Sequence, residues 1–324
     1  MSNSFSPPVN SQHRFAHIDA MRAFAVLVVV LAHAGLGHVV PGGSGVTIFF
    51  SISGFVITFI VLKEMSKTDG FDIGRFYRNR AYKILPPLLV AIVLPTLIWS
   101  MWSTVNWAAV LGQVFFYYNW FKVNGGADVL PGTGVVWSLS IEEQFYLVFA
   151  IVWFFLVNSR SRVAVLAVLA CACVIGSTAT RLALFADGTS HDRIYYGSDT
   201  RLDGIAYGVL LGVAYYVWTE RGSKPNAVTS IVGHWLALAT GISLYILSLV
   251  IRDEFFRDTF RYSLQSLSAC IVIAFGLVPG IGLVRRVFYA ISESRIVTAI
   301  GLSSYSIYLC HLIVGNVFRN LTSA

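Results

Sequence analysis

Ten stretches of the chain are apolar over most of the width of a bilayer. They run 17–40, 46–62, 84–104, 107–121, 136–157, 163–185, 202–218, 229–251, 262–283 and 297–318. A spanning helix needs roughly 20 mostly apolar residues. The pattern therefore predicts an all-α fold: a polytopic transmembrane helix bundle of about nine or ten spans. Glycine and proline punctuate the gaps at Pro41-Gly42-Gly43, Gly125-Gly126, Pro131-Gly132 and Gly222 before Pro225. Neither an internal repeat nor a low-complexity tract is visible.

The segment 107–121 is shorter than the rest and decides the topology. The interval 63–83 reads as a loop carrying Lys63, Lys67, Arg75, Arg78, Arg80 and Lys83. The positive-inside bias places it, and the N-terminus, in the cytoplasm. If 107–121 spans, the later basic pairs Arg160/Arg162, Arg221/Lys224 and Arg285/Arg286 fall outside. If it re-enters, all of them are cytoplasmic, so charge asymmetry favours a re-entrant segment. Tyr117, Tyr118, Trp120, Trp99, Trp102 and Trp107 flank it and read as an interfacial aromatic belt rather than a ligand cage.

Composition agrees with a lipid-facing chain. Apolar types make up 56% of the 324 residues and charged types 12%, where soluble domains carry about 25%. The net charge of +7 is spread over short loops, which argues against a nucleic-acid partner. Cys171, Cys173, Cys270 and Cys310 lie in apolar stretches and form no CxxC pair, so they read as small buried residues with no disulfide or zinc framework. Residues 1–16 are polar with no cleavage site behind them, which predicts a cytoplasmic tail ahead of one transmembrane domain over 17–319.

Ionisable groups inside a bilayer are expensive, so each one is a functional candidate. The first span holds Asp19, Arg22 and His33. Arg22 and His33 are eleven residues apart: three turns plus about 20°, on one face, with roughly 16 Å between them along the axis. Arginine is a permanent cation suited to phosphate, and histidine accepts a proton near neutral pH. The bland alternative is an Arg22 that snorkels and a His33 that bonds one neighbouring helix. Ser51 and Ser53 belong to a small-residue packing stretch that also offers hydroxyls to a site. Arg78, Arg80 and Lys83 serve either topology and lipid binding or a phosphate clamp. In Ser140-Ile141-Glu142-Glu143, Ser140 and Glu143 fit a capping box, which leaves Glu142 to point inward. Arg201 and Asp203 read as a neutralising pair. His311 reads as an interhelical hydrogen bonder, and Arg181 and His234 as structural.

Six of these stretches in order resemble the acyltransferase-3 family of membrane O-acyltransferases. They are Arg22-x10-His33, Phe49-Phe50-x-x-Ser53-Gly54-Phe55, Phe76-x-x-Asn79-Arg80-x-x-Lys83-Ile84-x-Pro86, Trp137-Ser138-Leu139-Ser140-x-Glu142-x-x-Phe145-Tyr146, Arg201-Leu202-Asp203-Gly204 and Gly301-Leu302-Ser303-Ser304-Tyr305-Ser306-x-Tyr308-Leu309-x-His311. The resemblance covers about 14–318. It implies transfer of an acyl group, usually acetyl, from cytoplasmic acyl-CoA to a sugar hydroxyl of a polysaccharide, lipopolysaccharide or glycolipid, in a bacterial cytoplasmic membrane. Acyl-CoA is then a co-substrate, and no metal or other cofactor is implied. His33 falls on the family's catalytic histidine and Arg22 on its arginine partner. Many members carry Arg-Arg where this chain has Asn79-Arg80, and arginine where it has Lys83. Some carry a soluble hydrolase-like domain after the bundle, which is not expected here.

The expected mechanism is direct transfer. Arg78, Arg80, Lys83 and Arg22 meet the donor's phosphates, His33 serves as general base, and Glu142 orients the imidazole or stabilises its charged form. No hydroxyl or thiol has an evident adjacent base, so no covalent acyl-enzyme is expected. The alternatives are a polytopic transporter and a non-catalytic member of a polysaccharide-assembly complex.

Overall fold

The computed structural model describes residues 15–68 and 72–322. The tail expected over 1–16 lies outside the described residues apart from Phe15 and Ala16, as does the Lys67 side chain. Helices α1 (Ala16–Leu31), α2 (Gly43–Thr68) and α3 (Ile73–Leu88) lead, followed by α4 (Leu94–Trp99), α5 (Trp107–Val114) and α6 (Tyr118–Val123). Then come α7 (Val136–Leu156), α8 (Arg162–Ala186), α9 (His191–Tyr196), α10 (Ser198–Glu220), α11 (Ala227–Gly233) and α12 (Trp235–Val250). The chain closes with α13 (Glu254–Thr259), α14 (Arg261–Leu277), α15 (Leu283–Ser292) and α16 (Arg295–Thr322). No strand occurs among the described residues.

Seven helical stretches among the described residues are long and apolar enough to cross a membrane. The pair α11 and α12, bent by 63°, makes an eighth. Helix α14, with 17 residues, makes a ninth if it crosses with a slight shortfall. The protein is a multi-pass membrane bundle, and its surface shows the reason. Phe154, Phe155, Val168 and Ile175 face outward while Arg181, Arg201, Thr200 and Ser266 are buried, the reverse of the habit of soluble domains.

One predicted feature changes and one open alternative is decided. The interval 63–83 is not a loop: α2 runs to Thr68 and α3 starts at Ile73, capped by the Asp72 carboxylate accepting from the Arg75 amide at 2.8 Å. Its basic residues therefore sit on helices. Pro86 and Pro87 remove two backbone donors from α3, which then passes through a π turn at Leu89–Val93 before α4. The segment 107–121 is not a span, in line with the re-entrant alternative that charge asymmetry favoured. It is two short helices joined at Phe116, whose φ is 58°. The Gln144 amide, about two turns into α7, donates to the Phe116 carbonyl at 2.8 Å and to Asn119 Oδ1 at 2.9 Å. The hairpin therefore leans inward along α7 and returns to the end it came from. With it not crossing, the loops bearing Arg160, Arg221 and Lys224, and α15 with Arg285 and Arg286, all fall at the same end as the start of α1.

Close packing of α2 on α10 forms the centre. A Cβ at Gly54 would strike the Ile205 carbonyl, and one at Gly208 the Ser51 carbonyl. Helices α1 and α16 meet the same way, since a Cβ at Gly301 would enter the Asp19 backbone. Small residues let these backbones touch where hydrophobic burial gives lipid-embedded helices little drive.

Candidate active site

Two cavities lie along this core. The larger, about 1270 Å³, is lined by Arg22, Ser53, Arg75, Arg80, Lys83, Glu142 and Tyr146, with Phe15, Glu64 and Asp72 at its mouth. The smaller, about 220 Å³, is lined by His33, Lys122, Asp128, Trp137, Tyr195 and Tyr196, with Gly42 and Gly134 at its edge. Val46 and Tyr308 line both. Phe15, Glu64 and Asp72 come from the start of α1, the end of α2 and the start of α3. His33 and Gly42 come from the far end of α1 and the approach to α2. The two cavities thus open toward opposite ends of the bundle and share one wall.

In the large cavity, α3 presents Arg75, Phe76, Asn79, Arg80, Lys83 and Ile84, a three-four repeat that is one helical face. Arg78 is exposed and lies off this face: three residues from Arg75 and two from Arg80, it points about 160° from the latter. It does not join the other cations, and Arg75 does so instead. Most of these cations already hold carboxylates. Arg80 pairs with Glu143 and lies 3.3 Å over the Tyr146 ring. Arg75 pairs with Glu64, and Arg22 reaches Asp19 at 3.6 Å. Arg75 keeps 52% of its side chain exposed, Arg22 34% and Arg80 21%.

Glu142 and Glu143 separate as adjacent helix residues must. Glu143 caps nothing, because the N-terminus of α7 has no side-chain cap, and it is spent on Arg80. Glu142 faces the cavity, accepting from the Ser53 hydroxyl at 3.0 Å. It is not the partner of His33. The same bond corrects a second expectation, since a hydroxyl does stand beside a carboxylate.

His33 sits in a π turn at Ala32–Leu36 that ends α1, with Gly35 at φ 109°. Such turns recur at functional sites. Its Nδ1 lies 2.9 Å from the Val29 carbonyl and 3.2 Å from His311 Nε2. His311 Nδ1 lies 2.7 Å from the Tyr308 carbonyl. A carbonyl only accepts, so both Nδ1 atoms carry the proton. His311 Nε2 is then an acceptor, His33 Nδ1–H is shared between two acceptors, and the His33 Nε2 lone pair stays open. This is the tautomer a general base needs. The hydrogen-bond pattern assigns it.

Ser51, Arg201 and Asp203 line neither cavity. Ser51 donates to the Thr47 and Gly204 carbonyls, both at 3.2 Å, within the α2–α10 contact. Arg201 and Asp203 are not a pair: two residues apart on a helix, they face different ways. Asp203 binds Arg181 at 2.8 Å and Ser263 at 2.7 Å. Arg181, fully buried, also donates to the Thr259 and Thr200 carbonyls and Thr178. Arg201 lies 3.8 Å over the Tyr262 ring with Tyr195 and Phe50 around it, its Nη2 on Thr47 and its Nη1 without a partner. Cys171 and Cys173 face outward rather than being buried. Tyr118 is buried rather than interfacial, its hydroxyl donating to Ala127 at 3.3 Å and Asp128 at 3.5 Å. Burial, and then the Asp128 carboxylate, push that hydroxyl well above its ordinary range.

Lys122, Asp128, Tyr195 and Tyr196 escaped the sequence reading. Lys122 lies in the last turn of the short helix α6 and Asp128 in the irregular stretch after it, whose only signal was Gly125-Gly126 and Pro131-Gly132. Nothing in the spacing brings it against His33.

Residues 15–324 match the acyltransferase domain that defines the acyltransferase-3 family. The chain belongs to that family. Among curated acyltransferase-3 relatives, it is 29% identical over 320 residues to a putative peptidoglycan O-acetyltransferase, YrhL, of Bacillus subtilis, covering 92% of this chain and 48% of that protein. It is 26% identical over 309 residues to the O-acetyltransferase OatA of Staphylococcus aureus, covering 91% and 49%. The chain spans about half the length of these relatives. No solved structure matches it.

Proposed function

We propose that this acyltransferase-3 chain is a membrane O-acyltransferase that moves an acetyl group from acetyl-CoA to a sugar hydroxyl of an envelope glycan. One observation carries the reading: an open-faced histidine in a small cavity shares a two-residue wall with a large, cation-lined cavity facing the other way. The large cavity exceeds the roughly 300–1000 Å³ of drug-sized sites, in keeping with a donor as bulky as acyl-CoA. Arg75, Lys83 and Arg22 meet its phosphates, the polyanion displacing Glu64 from Arg75. Arg80, committed to Glu143 and Tyr146, positions that face of α3. Basic residues at this end support its being cytoplasmic, with the N-terminus, in a bacterial cytoplasmic membrane.

The thioester end reaches past Val46 and Tyr308 toward His33. His33 Nε2 takes the proton of the acceptor hydroxyl as its oxygen bonds to the acyl carbon. The C–S bond breaks, and the thiolate of CoA leaves and is reprotonated. Base catalysis of this kind is worth about 10²–10⁴-fold. The glycan acceptor rests on the relatives, one a putative peptidoglycan O-acetyltransferase and the other an O-acetyltransferase.

Purified full-length chain in nanodiscs, given acetyl-labelled CoA and soluble glycan fragments, should form acetylated glycan detected by mass. A folded His33→Ala variant that acetylates at the parental rate would remove the mechanism. Solute flux in proteoliposomes with no acyl transfer would favour a transporter instead. Transfer that appears only with other envelope proteins present would favour a non-catalytic assembly member.

A further inference from the structure

The small cavity holds more than a base. Opposite His33 stand an ammonium and a carboxylate that no step of the proposed transfer uses. Lys122 Nζ lies 3.2 Å from Asp128 Oδ1 and 3.2 Å from the Gly126 carbonyl. An ammonium has three protons, so a third is available. Asp128 also accepts from Tyr118, and both contacts fall on Oδ1, which leaves Oδ2 to accept from a ligand. The carboxylate is built in, since a Cβ at Gly134 would strike it. Lys122 keeps 19% and Asp128 31% of its side chain exposed, and both line the cavity.

The adjoining wall is aromatic. Trp137 lies 4.9 Å from Tyr195 and 5.2 Å from Tyr196 between ring centroids, the latter edge-on at 82°. Tyr195 and Tyr196 meet edge-on at 4.9 Å. The three rings pack into a corner that lines the cavity. An aromatic face is negative and suits the weakly positive C–H face of a pyranose. The ring's hydroxyls each donate and accept, as Asp128 and Lys122 demand. The volume of about 220 Å³ falls below that of drug-sized pockets, about 300 Å³ and upward, so it accommodates one ring rather than several.

We infer that this cavity is a pyranose subsite, in which the Lys122–Asp128 pair and the Trp137–Tyr195–Tyr196 corner seat one sugar ring with a hydroxyl at His33. The inference deepens the proposed transfer and rests on it. Asp128 and Lys122 are specificity residues here: they choose a ring hydroxyl over a plain alcohol.

The test measures binding apart from chemistry. Full-length chain in nanodiscs is titrated with methyl β-D-glucopyranoside and with acyclic sorbitol, read by saturation-transfer NMR. Acetyl transfer to the same glucoside is measured alongside. The glucoside should bind more tightly than sorbitol, and Asp128→Asn should weaken it about tenfold, as expected for losing a hydrogen bond to a charged group. Arg78→Gln, outside both cavities, should bind as the parent does. If Asp128→Asn melts early, Lys122→Met carries the same comparison. No glucoside binding, binding equal to sorbitol, or binding unchanged in the folded variants overturns the subsite. Binding that depends on Asp128 with no transfer keeps the subsite and removes the transferase reading. Transfer indifferent to Asp128 does the reverse.

Discussion

Replacing His311 by alanine tests the histidine pair more sharply than replacing His33. His33 Nδ1–H is shared between the Val29 carbonyl at 2.9 Å and His311 Nε2 at 3.2 Å. Without His311, the imidazole keeps Val29 and the correct tautomer. What is lost is the longer half of a shared neutral hydrogen bond, and with it part of the ring's orientation. A neutral hydrogen bond is worth about 0.5–1.5 kcal/mol net. At about 1.4 kcal/mol per tenfold, His311→Ala should slow acetyl transfer by roughly two- to tenfold. His33→Ala should lose about 10²–10⁴-fold. Initial rates of acetyl-labelled glycan formation in nanodiscs, at saturating acetyl-CoA, give both values. The double variant should be no slower than His33→Ala, because His311 acts only through the ring that is gone. A His311→Ala variant as slow as His33→Ala, or full additivity in the double, would refute this and give His311 a proton-handling role of its own.

Three further outcomes follow from the packing. Gly54→Ala should lower the melting temperature, costing about 1–3 kcal/mol as an overpacking change, because the new methyl meets the Ile205 carbonyl. Calorimetry of the purified protein reads it. Arg181→Met should cost about 3–5 kcal/mol by stranding Asp203, and adding Asp203→Leu should recover much of that loss in the same melt. Ser53→Ala should retain transfer, and intact-mass spectra during turnover should show no acetyl on Ser53. An acetyl adduct there would replace direct transfer by an acyl-enzyme, with Glu142 as its base.

The chain's apolar runs made the bundle legible, because twenty lipid-facing residues leave a signal that no loop imitates. They misread 63–83, where helix α3 continues past the apolar stretch into basic residues. Charge marks a membrane boundary there, not a helix boundary. Once α3 is known to begin at Ile73, the helical repeat alone turns Arg78 about 160° from Arg80. Arg22, His33 and Glu142 were visible because charge in an apolar span is conspicuous. Their partners were not. Arg201 and Asp203 looked paired by proximity in sequence, but the helix turns them apart, and the true partner of Asp203 lies on α8. The Lys122–Asp128 pair was hidden at the end of a short helix and in the loop after it, where only tertiary structure fixes position.

The wall of Val46 and Tyr308 has a consequence for the cell's economy. A nucleotide-sized donor cannot pass between two side chains, so under the proposed reaction the spent thiol stays where it can be recharged. Only a two-carbon fragment emigrates. The same wall separates the two cavities, so under the proposed reaction a chemical group crosses without short-circuiting the membrane voltage. Shaving either side chain would be felt as an ionic leak, a cost to the whole cell rather than to one enzyme.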